Sequence, residues 1–317
     1  MHTIQHLHHL TATTDDAQAD LDFYRALLGL RLVKKTVNFD NHSVYHFYYG
    51  NEAGEPGTIM TTFPYKGHGV RVGTKGTGQV TTTAFAVPNT AQAYWLARLT
   101  EASVAVEQQP DRFGEWALAF DDPSGLRIEL IGTDDSRAPW TGGEVPAEVA
   151  IRGLHSVTAT LAEAKATQGL LTEVLGFRLV GEEGARLRVA TEAGGSGTQL
   201  DLLIDSSQPK GQNGIGTVHH VALAIATDEE QLALRTDLVE RGYRVTEVRD
   251  RNYFHSIYFR EPGGVLFEVA TIPPGFGVDE PLAQLGQALQ LPQWEEPHRA
   301  EIEAQLPVIS YTERIMD

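Results

Sequence analysis

No cysteine occurs in this chain of 317 residues, and only three methionines do. Disulfide staples and thiolate–metal bonds are excluded, so any cation must be held by His, Asp, Glu or backbone oxygen. Positive charge is also scarce: 25 Lys and Arg stand against 42 Asp and Glu, a formal net charge of −17. Such a surface repels nucleic acid and anionic lipid, and neither is expected as a partner. Long apolar runs are missing too. None approaches the roughly 20 residues that span a bilayer, and no basic-then-apolar leader opens the sequence, so no membrane is expected and the cytoplasm is the expected location. The chain is nevertheless 41% apolar, enough to fill sizeable cores.

What the sequence does contain is repetition. Ile4-Gln5-His6-Leu7-His8-His9-Leu10-Thr11-Ala12-Thr13 recurs as Ile151-Arg152-Gly153-Leu154-His155-Ser156-Val157-Thr158-Ala159-Thr160. Each stretch is followed by a helix-like run ending at Leu28-Gly29-Leu30 or Leu175-Gly176-Phe177, a glycine C-cap with a strand resuming beyond it. In the first run Ala17, Leu21, Tyr24 and Leu28 recur at helical spacing behind Asp15 or Asp16 as N-cap. Two looser copies begin at Val80 and Val218, with matching turns Asp122-Pro123-Ser124-Gly125 and Glu261-Pro262-Gly263-Gly264 before their last strands. Each copy reads strand, helix, then further strands. The expected organisation is an N-terminal domain over 1–136 (units 4–64 and 79–133) and a linker over 137–150. A C-terminal domain over 151–272 (units 151–205 and 216–272) and an acidic, partly helical extension over 273–317 follow. The Gly-rich segment 66–78 reads as a loop.

Strand parity then selects candidate ligands. Successive strand side chains face opposite sides. Beyond His220, Val221, Leu223 and Ile225 form a bulky face for helix packing, while His220, Ala222 and Ala224 face a cavity. Glu268 shares its side with Leu266 and Ala270, opposite Val265, Phe267 and Val269. His9 shares its side with Thr11 and Thr13. Two imidazoles and one carboxylate are a donor set that holds Fe(II) by one face and leaves positions open for substrate and oxygen. A carboxylate on so apolar a strand is costly to bury without a partner. His9, His220 and Glu268 are therefore the expected metal ligands, with His8 and His219 turned away from the ion.

Units one and four must meet for this to hold, although they lie at opposite ends of the array. Units two and three then form a counterpart with Thr82 and Ser156 at the imidazole positions and Glu129 and Asp201 at carboxylate positions. That counterpart should hold no metal. Lys34-Lys35 reads as a solvated pair, His42 and His255 as structural, His46 as structural or bordering the pocket, and Tyr45, Phe47, Tyr48 and Tyr49 as packing.

These residues resemble the vicinal oxygen chelate (glyoxalase/bleomycin resistance/dioxygenase) superfamily, and more narrowly its ring-cleaving dioxygenases of the hydroquinone 1,2-dioxygenase type. The stretch Asp250-Arg251-Asn252-Tyr253-Phe254-His255-Ser256-Ile257-Tyr258-Phe259-Arg260, with Pro262 to Glu268 after it, is the most specific match; Leu32 to Asp40 also fits. The resemblance implies an α+β fold in which four βαβββ modules pair into two incomplete β-barrels. It implies Fe(II), or alternatively Mn(II), on His9, His220 and Glu268. His8, Thr11, His219, Arg251 and Tyr258 would then be catalytic groups around the substrate, a small aromatic diol, and O2. In that scheme Arg251 stabilises oxyanion charge, Tyr258 donates to an oxygen, and His8 or His219 shuttles a proton. A homodimer is the default assembly.

Three rival functions remain at this point. A glyoxalase-type lyase or isomerase uses four protein ligands rather than three. Extradiol cleavage of a catechol is not separated from hydroquinone opening by motif. A metal-free binding module would make the paired histidines incidental.

Overall fold

A computed structural model of the chain describes residues 2–311. Four modules follow one another. The first holds β1 (Leu7–Thr14), α1 (Ala17–Leu21), β2 (Arg31–Asn38), β3 (Asn41–Gly50) and β4 (Ile59–Pro64). The second holds β5 (Gln79–Pro88), α2 (Gln92–Glu101), β6 (Glu107–Arg112), β7 (Glu115–Asp121) and β8 (Arg127–Thr133). The third holds β9 (Gly153–Leu161), α3 (Lys165–Gly169), β10 (Arg178–Glu183), β11 (Arg186–Ala190) and β12 (Gln199–Ile204). The fourth holds β13 (Thr217–Ile225), α4 (Asp228–Glu240), β14 (Arg249–Asp250), β15 (Phe254–Arg260) and β16 (Leu266–Pro274).

Local chemistry fixes the helix ends. The Asp16 carboxylate caps α1, accepting from the Gln18 and Ala19 amides at 2.9 Å. Both α1 and α3 widen beyond their ranges into turns closed five residues apart, Leu28 N to Phe23 O at 2.9 Å and Leu175 N to Leu170 O at 3.1 Å. The repeat is therefore preserved down to an irregularity of the backbone. Gly29 follows at φ +73°, where a Cβ would stand 2.5 Å from Val145 Cγ2, so only glycine serves there.

The modules pair out of order. One eight-stranded sheet runs β14-β15-β16-β13-β1-β4-β3-β2 and the other β10-β11-β12-β9-β5-β8-β7-β6. Modules one and four thus share a sheet, joined by antiparallel β1 and β13. Modules two and three share the other, joined by β5 and β9. Each sheet curls until its edges approach. Asp40, in the β2–β3 turn, lies 3.7 Å from both Arg249 and Arg251 at the far edge of the first sheet. The Phe113 amide donates to Glu183 across the second at 2.8 Å.

The bulky strand faces and the helices share one apolar cluster containing Leu21, Tyr24, Trp95, Leu171, Val221, Leu223 and Leu234. A smaller cluster of Val33, Tyr48, Ala222, Tyr253, Phe254, Ala270 and Phe276 lies on the opposite face of the first sheet. Val221 and Ala222 thus fall on different sides, as parity requires.

After β16 the chain crosses β2, and α5 (Arg299–Gln305) follows. This crossing corrects the reading of Lys34 as a solvated residue. Its side chain is fully buried and its ammonium donates to Asp279 at 2.5 Å and to Glu280. Lys35 pairs with Leu289, and its Nζ donates to Gln287 O and Tyr311 Oη. Residues 312–317 of the extension lie outside the described residues. Segment 66–78 contains isolated bridges rather than a strand, as its glycines predict. Among the described residues, no helix is long and apolar enough to cross a membrane.

Candidate metal centre

The register of three strands builds the site. His9 on β1 pairs with Ala222 on β13, which pairs with Glu268 on β16. Ala222 is small, so the flanking side chains reach toward each other above it. His220 joins them from the same face of β13, two residues earlier. The three groups lie in a tight triangle: His220 Nε2 is 2.7 Å and His9 Nε2 3.4 Å from Glu268 Oε2, and the two nitrogens are 3.3 Å apart. All three residues are buried. Among the described residues this is the one cluster of three or more such groups able to hold a metal ion.

The preceding histidines orient the rings. His8 Nδ1 meets His9 Nδ1 at 2.8 Å, and His219 Nδ1 meets His220 Nδ1 at 2.8 Å. One ring of each pair donates. When His9 and His220 donate, their Nε2 atoms carry free lone pairs aimed at the centre, as metal ligation requires. Ser256 Oγ donates to Glu268 Oε1, which directs Oε2 inward. That Oε2 is buried and lacks an aligned hydrogen bond among the described residues, despite the imidazole beside it. An orphaned carboxylate oxygen facing two nitrogens is what a cation would satisfy.

Electrostatics point the same way. Burial disfavours the charged form of Glu268, but the His9 and His220 imidazoles overcome it and hold the carboxyl well below its usual range. Burial lowers the pKa of His220, and it lowers that of His219 to about 3, aided by the His220 charge. A divalent cation takes a carboxylate ligand ionised and imidazole ligands neutral, so the ionised Glu268 is ready for one.

A cavity of about 230 Å³ opens beside the triangle, lined among others by Thr11, His219, Arg251 and Tyr258. His8 does not line it. That ring is packed behind His9, 4.9 Å from Phe254. Arg251 Nε donates to Tyr258 Oη at 3.1 Å, and its guanidinium also reaches Asp40 rather than Asp250 or Glu247. Glu247 is taken by Arg235 at 2.5 Å. Burial, with the Glu268 charge, raises the Tyr258 pKa, so its phenol keeps its proton. Thr11 Oγ1 accepts from Thr61 Oγ1 at 2.8 Å, and Thr61 is 2.9 Å from His46 Nε2.

His46, for which the sequence left a place at the pocket border open, lines the cavity, and so does Tyr48, which corrects its reading as packing. They alternate on β3 with Phe47, so parity carried the signal. Asn38, Phe39 and Tyr65 line it as well and went unrecognised, because they sit at strand ends and a turn where parity lapses. Ser256 shares a face of β15 with Tyr258 and was legible by the same rule. His255 pairs with Asp228 at 2.7 Å and His42 with Glu295 at 3.3 Å, both away from the triangle. A larger cleft of about 470 Å³, between α1, the linker and the extension, has no histidine in its lining.

In the second sheet guanidinium groups stand where a cation would. Asp201 is bound by Arg188 at 2.8 Å and Arg186 at 3.0 Å, and His155 is turned to Glu115 at 3.1 Å.

The chain is similar to "Putative ring-cleaving dioxygenase MhqO" of Bacillus subtilis (strain 168), with 46% identity over 94% of each chain. It is 39% identical to the "Chlorohydroquinone/hydroquinone 1,2-dioxygenase" of Sphingobium indicum, over 92% of this chain and 93% of that protein. The crystal structure of a "putative dioxygenase" from Bacillus subtilis subsp. subtilis str. 168 matches with a TM-score of 0.94 at 44% identity, over 99% of this chain and 100% of that one. Glyoxalase I from Zea mays shares the fold alone, with a TM-score of 0.62 at 15% identity over 84% of this chain and 92% of that one. The model of the Glyoxalase/Bleomycin resistance protein/Dioxygenase superfamily matches residues 6–130 and 153–269, and the chain belongs to that superfamily.

Proposed function

We propose that the chain is a ring-cleaving dioxygenase that opens a hydroquinone-type aromatic diol with O2, using Fe(II) held by His9, His220 and Glu268. Mn(II) suits the same donors. The observation that carries this reading is the fourth coordination corner. Thr61 on β4 pairs with Thr11 as Glu268 on β16 pairs with Ala222, so it occupies the position equivalent to Glu268. A hydroxyl stands there, spent on Thr11. Three protein ligands on one face leave room for substrate and oxygen together, whereas a lyase of the glyoxalase type fills a fourth position.

Bound Fe(II) supplies redox contact between an electron-rich ring and O2, and favours a phenol as its anion. The chain's own groups do the rest. The Arg251 guanidinium stays protonated and stabilises developing oxyanion charge. The Tyr258 hydroxyl, held by Arg251, donates to an oxygen of substrate or O2. His219, which faces the cavity, is placed to move a proton, and Thr11 positions the ring. His8 acts through His9, whose ring it orients. The aromatic wall excludes water. The same reading keeps two domains, 1–136 and 151–272, and a cytoplasmic homodimer.

The test is O2 uptake by anaerobically purified, Fe(II)-loaded protein offered hydroquinone, catechol or the methylglyoxal–glutathione adduct. Stoichiometric uptake with opening of the hydroquinone ring is expected. Turnover of the glutathione adduct under argon, with no uptake on either diol, would overturn the proposal.

A further inference from the structure

Between β14 and β15 the chain turns on two residues. Arg249 pairs with Ser256 and Asp250 with His255. The next rung is Arg251 with Phe254, whose carbonyl accepts from the Arg251 amide at 3.0 Å. Asn252 and Tyr253 are left as the tip, and Asn252 takes φ +67°, as tight hairpins require. Residues opposed on a rung project to one face, and both Arg251 and Phe254 line the cavity. Phe254 packs on the His9 ring at 5.1 Å between centroids. The rung that faces the metal triangle therefore depends on where its two-residue tip is held.

The extension holds that tip. Asp279 Oδ2 accepts from Tyr253 Oη at 2.9 Å and lies 3.4 Å from Asn252 Nδ2. The Gly275 amide donates to Tyr253 O at 2.9 Å. Burial, with the Asp279 charge, raises the Tyr253 pKa, so the phenol keeps its proton and is the donor. The other carboxylate oxygen, Oδ1, accepts from Lys34 Nζ at 2.5 Å. Lys34 stands on β2, at the opposite edge of the eight-stranded sheet, and its ammonium lies 5.1 Å from the Tyr253 ring centroid. One carboxylate thus ties the hairpin tip at one edge of the sheet to the outermost strand of the other. Asp40 makes a second crossing to Arg251, but at 3.7 Å and with 67% of its side chain exposed. An exposed pair at that separation contributes little. Lys34 and Tyr253 are fully buried, so the inner crossing sets the geometry.

We infer that Asp279 is a positioning residue: through the Asn252–Tyr253 tip it fixes the rung from which Arg251 faces the bound substrate. The extension, which repeats no module, thereby completes the wall of the pocket. The part that Arg251 plays in turnover rests on the dioxygenase reading above; the hold of Asp279 on the tip does not.

Two readouts separate these parts. Hydrogen exchange at the Arg251 amide needs no turnover. Asp279→Ala should speed it about tenfold with the β13 amides unchanged, as loss of a hydrogen bond predicts for a local opening. Tyr253→Phe, which spares the Lys34 pair and serves if Asp279→Ala does not fold, should do the same. O2 uptake with hydroquinone by the Fe(II)-loaded protein reads the second part. Each substitution should lower kcat about tenfold at unchanged iron content, the kind of loss that a displaced group causes. In an Arg251→Met background the same substitutions should cost less than about twofold, because the group they aim is gone. Equal losses in both backgrounds overturn the assignment, as does a Tyr253→Phe protein with wild-type exchange and kcat. A wild-type protein that consumes no O2 with hydroquinone overturns the dioxygenase reading and the part given to Arg251. Unchanged exchange in the variants would then overturn the hold of Asp279 on the tip as well.

Discussion

The Arg112 guanidinium donates to the Glu129 carboxylate on β8, at the position that Glu268 occupies on β16. Glu129 pairs across to Ala84 as Glu268 pairs to Ala222. The two sheets therefore solve one problem in two ways. A buried carboxylate at this corner needs positive charge. The second sheet supplies it covalently with arginine. The first leaves an opening lined by imidazoles.

This contrast predicts one equivalent of metal per chain. Elemental analysis after reconstitution should find it retained in Glu129→Gln. In Glu268→Gln affinity should fall by more than about 100-fold with far-UV circular dichroism unchanged, since loss of a direct donor exceeds the effect of outer partners. Full metal content and activity in Glu268→Gln would refute the ligand assignment.

His8 reaches the triangle through the His9 ring. It is buried, does not line the cavity, and touches His9 through Nδ1. His8→Phe keeps the ring volume and removes that bond. Metal affinity should drop by about 10–100-fold. A competition titration showing affinity within twofold of wild type would reduce His8 to packing.

Lys34 anchors the extension. Its buried ammonium faces Asp279 and Glu280, so Lys34→Met leaves buried carboxylate charge unpaired. The expected cost is about 3–5 kcal/mol in urea unfolding. Adding Asp279→Asn and Glu280→Gln to Lys34→Met should recover most of it. No recovery would show that the side chain, and not the charge, was missed.

Asp20, in α1, is buried and accepts from Tyr49 at 2.8 Å and Thr62 at 2.5 Å. Burial pushes its carboxyl up to about 7, and that of nearby Asp122 up to about 6. An acid whose folded pKa exceeds its unfolded value, about 4, binds its proton more tightly when folded. Its stabilising contribution is complete below about pH 4 and is lost as pH rises toward the folded value. Unfolding free energy should thus decline from pH 5 to pH 8, at about 1.4 kcal/mol per unit for a single group over part of that window. In Asp20→Asn, which mimics the protonated acid, the decline should be visibly smaller. An identical slope in both proteins would remove Asp20 as its source.

Much of this was legible in the residues. Parity placed His9, His220 and Glu268 on inward faces, because strand periodicity is strict wherever one side packs on a helix. Comparing repeats located the arginine-filled counterpart by what it lacked. Lys34 was misread because its partners lie some 245 residues away in sequence, in a segment that repeats nothing. Phe39 and Tyr65 escaped for a related reason. Their approach to the cavity comes from the curl of the whole sheet, a property of many pairings together and of no local pattern.

The strand order also bears on how the protein is made. β1 emerges first, yet its neighbour β13 begins only at Thr217, and Glu268 arrives later still. A growing polypeptide on the ribosome therefore exposes His9 long before the other two donors exist. Contacts so distant in sequence form slowly. The complete triangle of His9, His220 and Glu268 therefore cannot exist until Glu268 has been added to the chain.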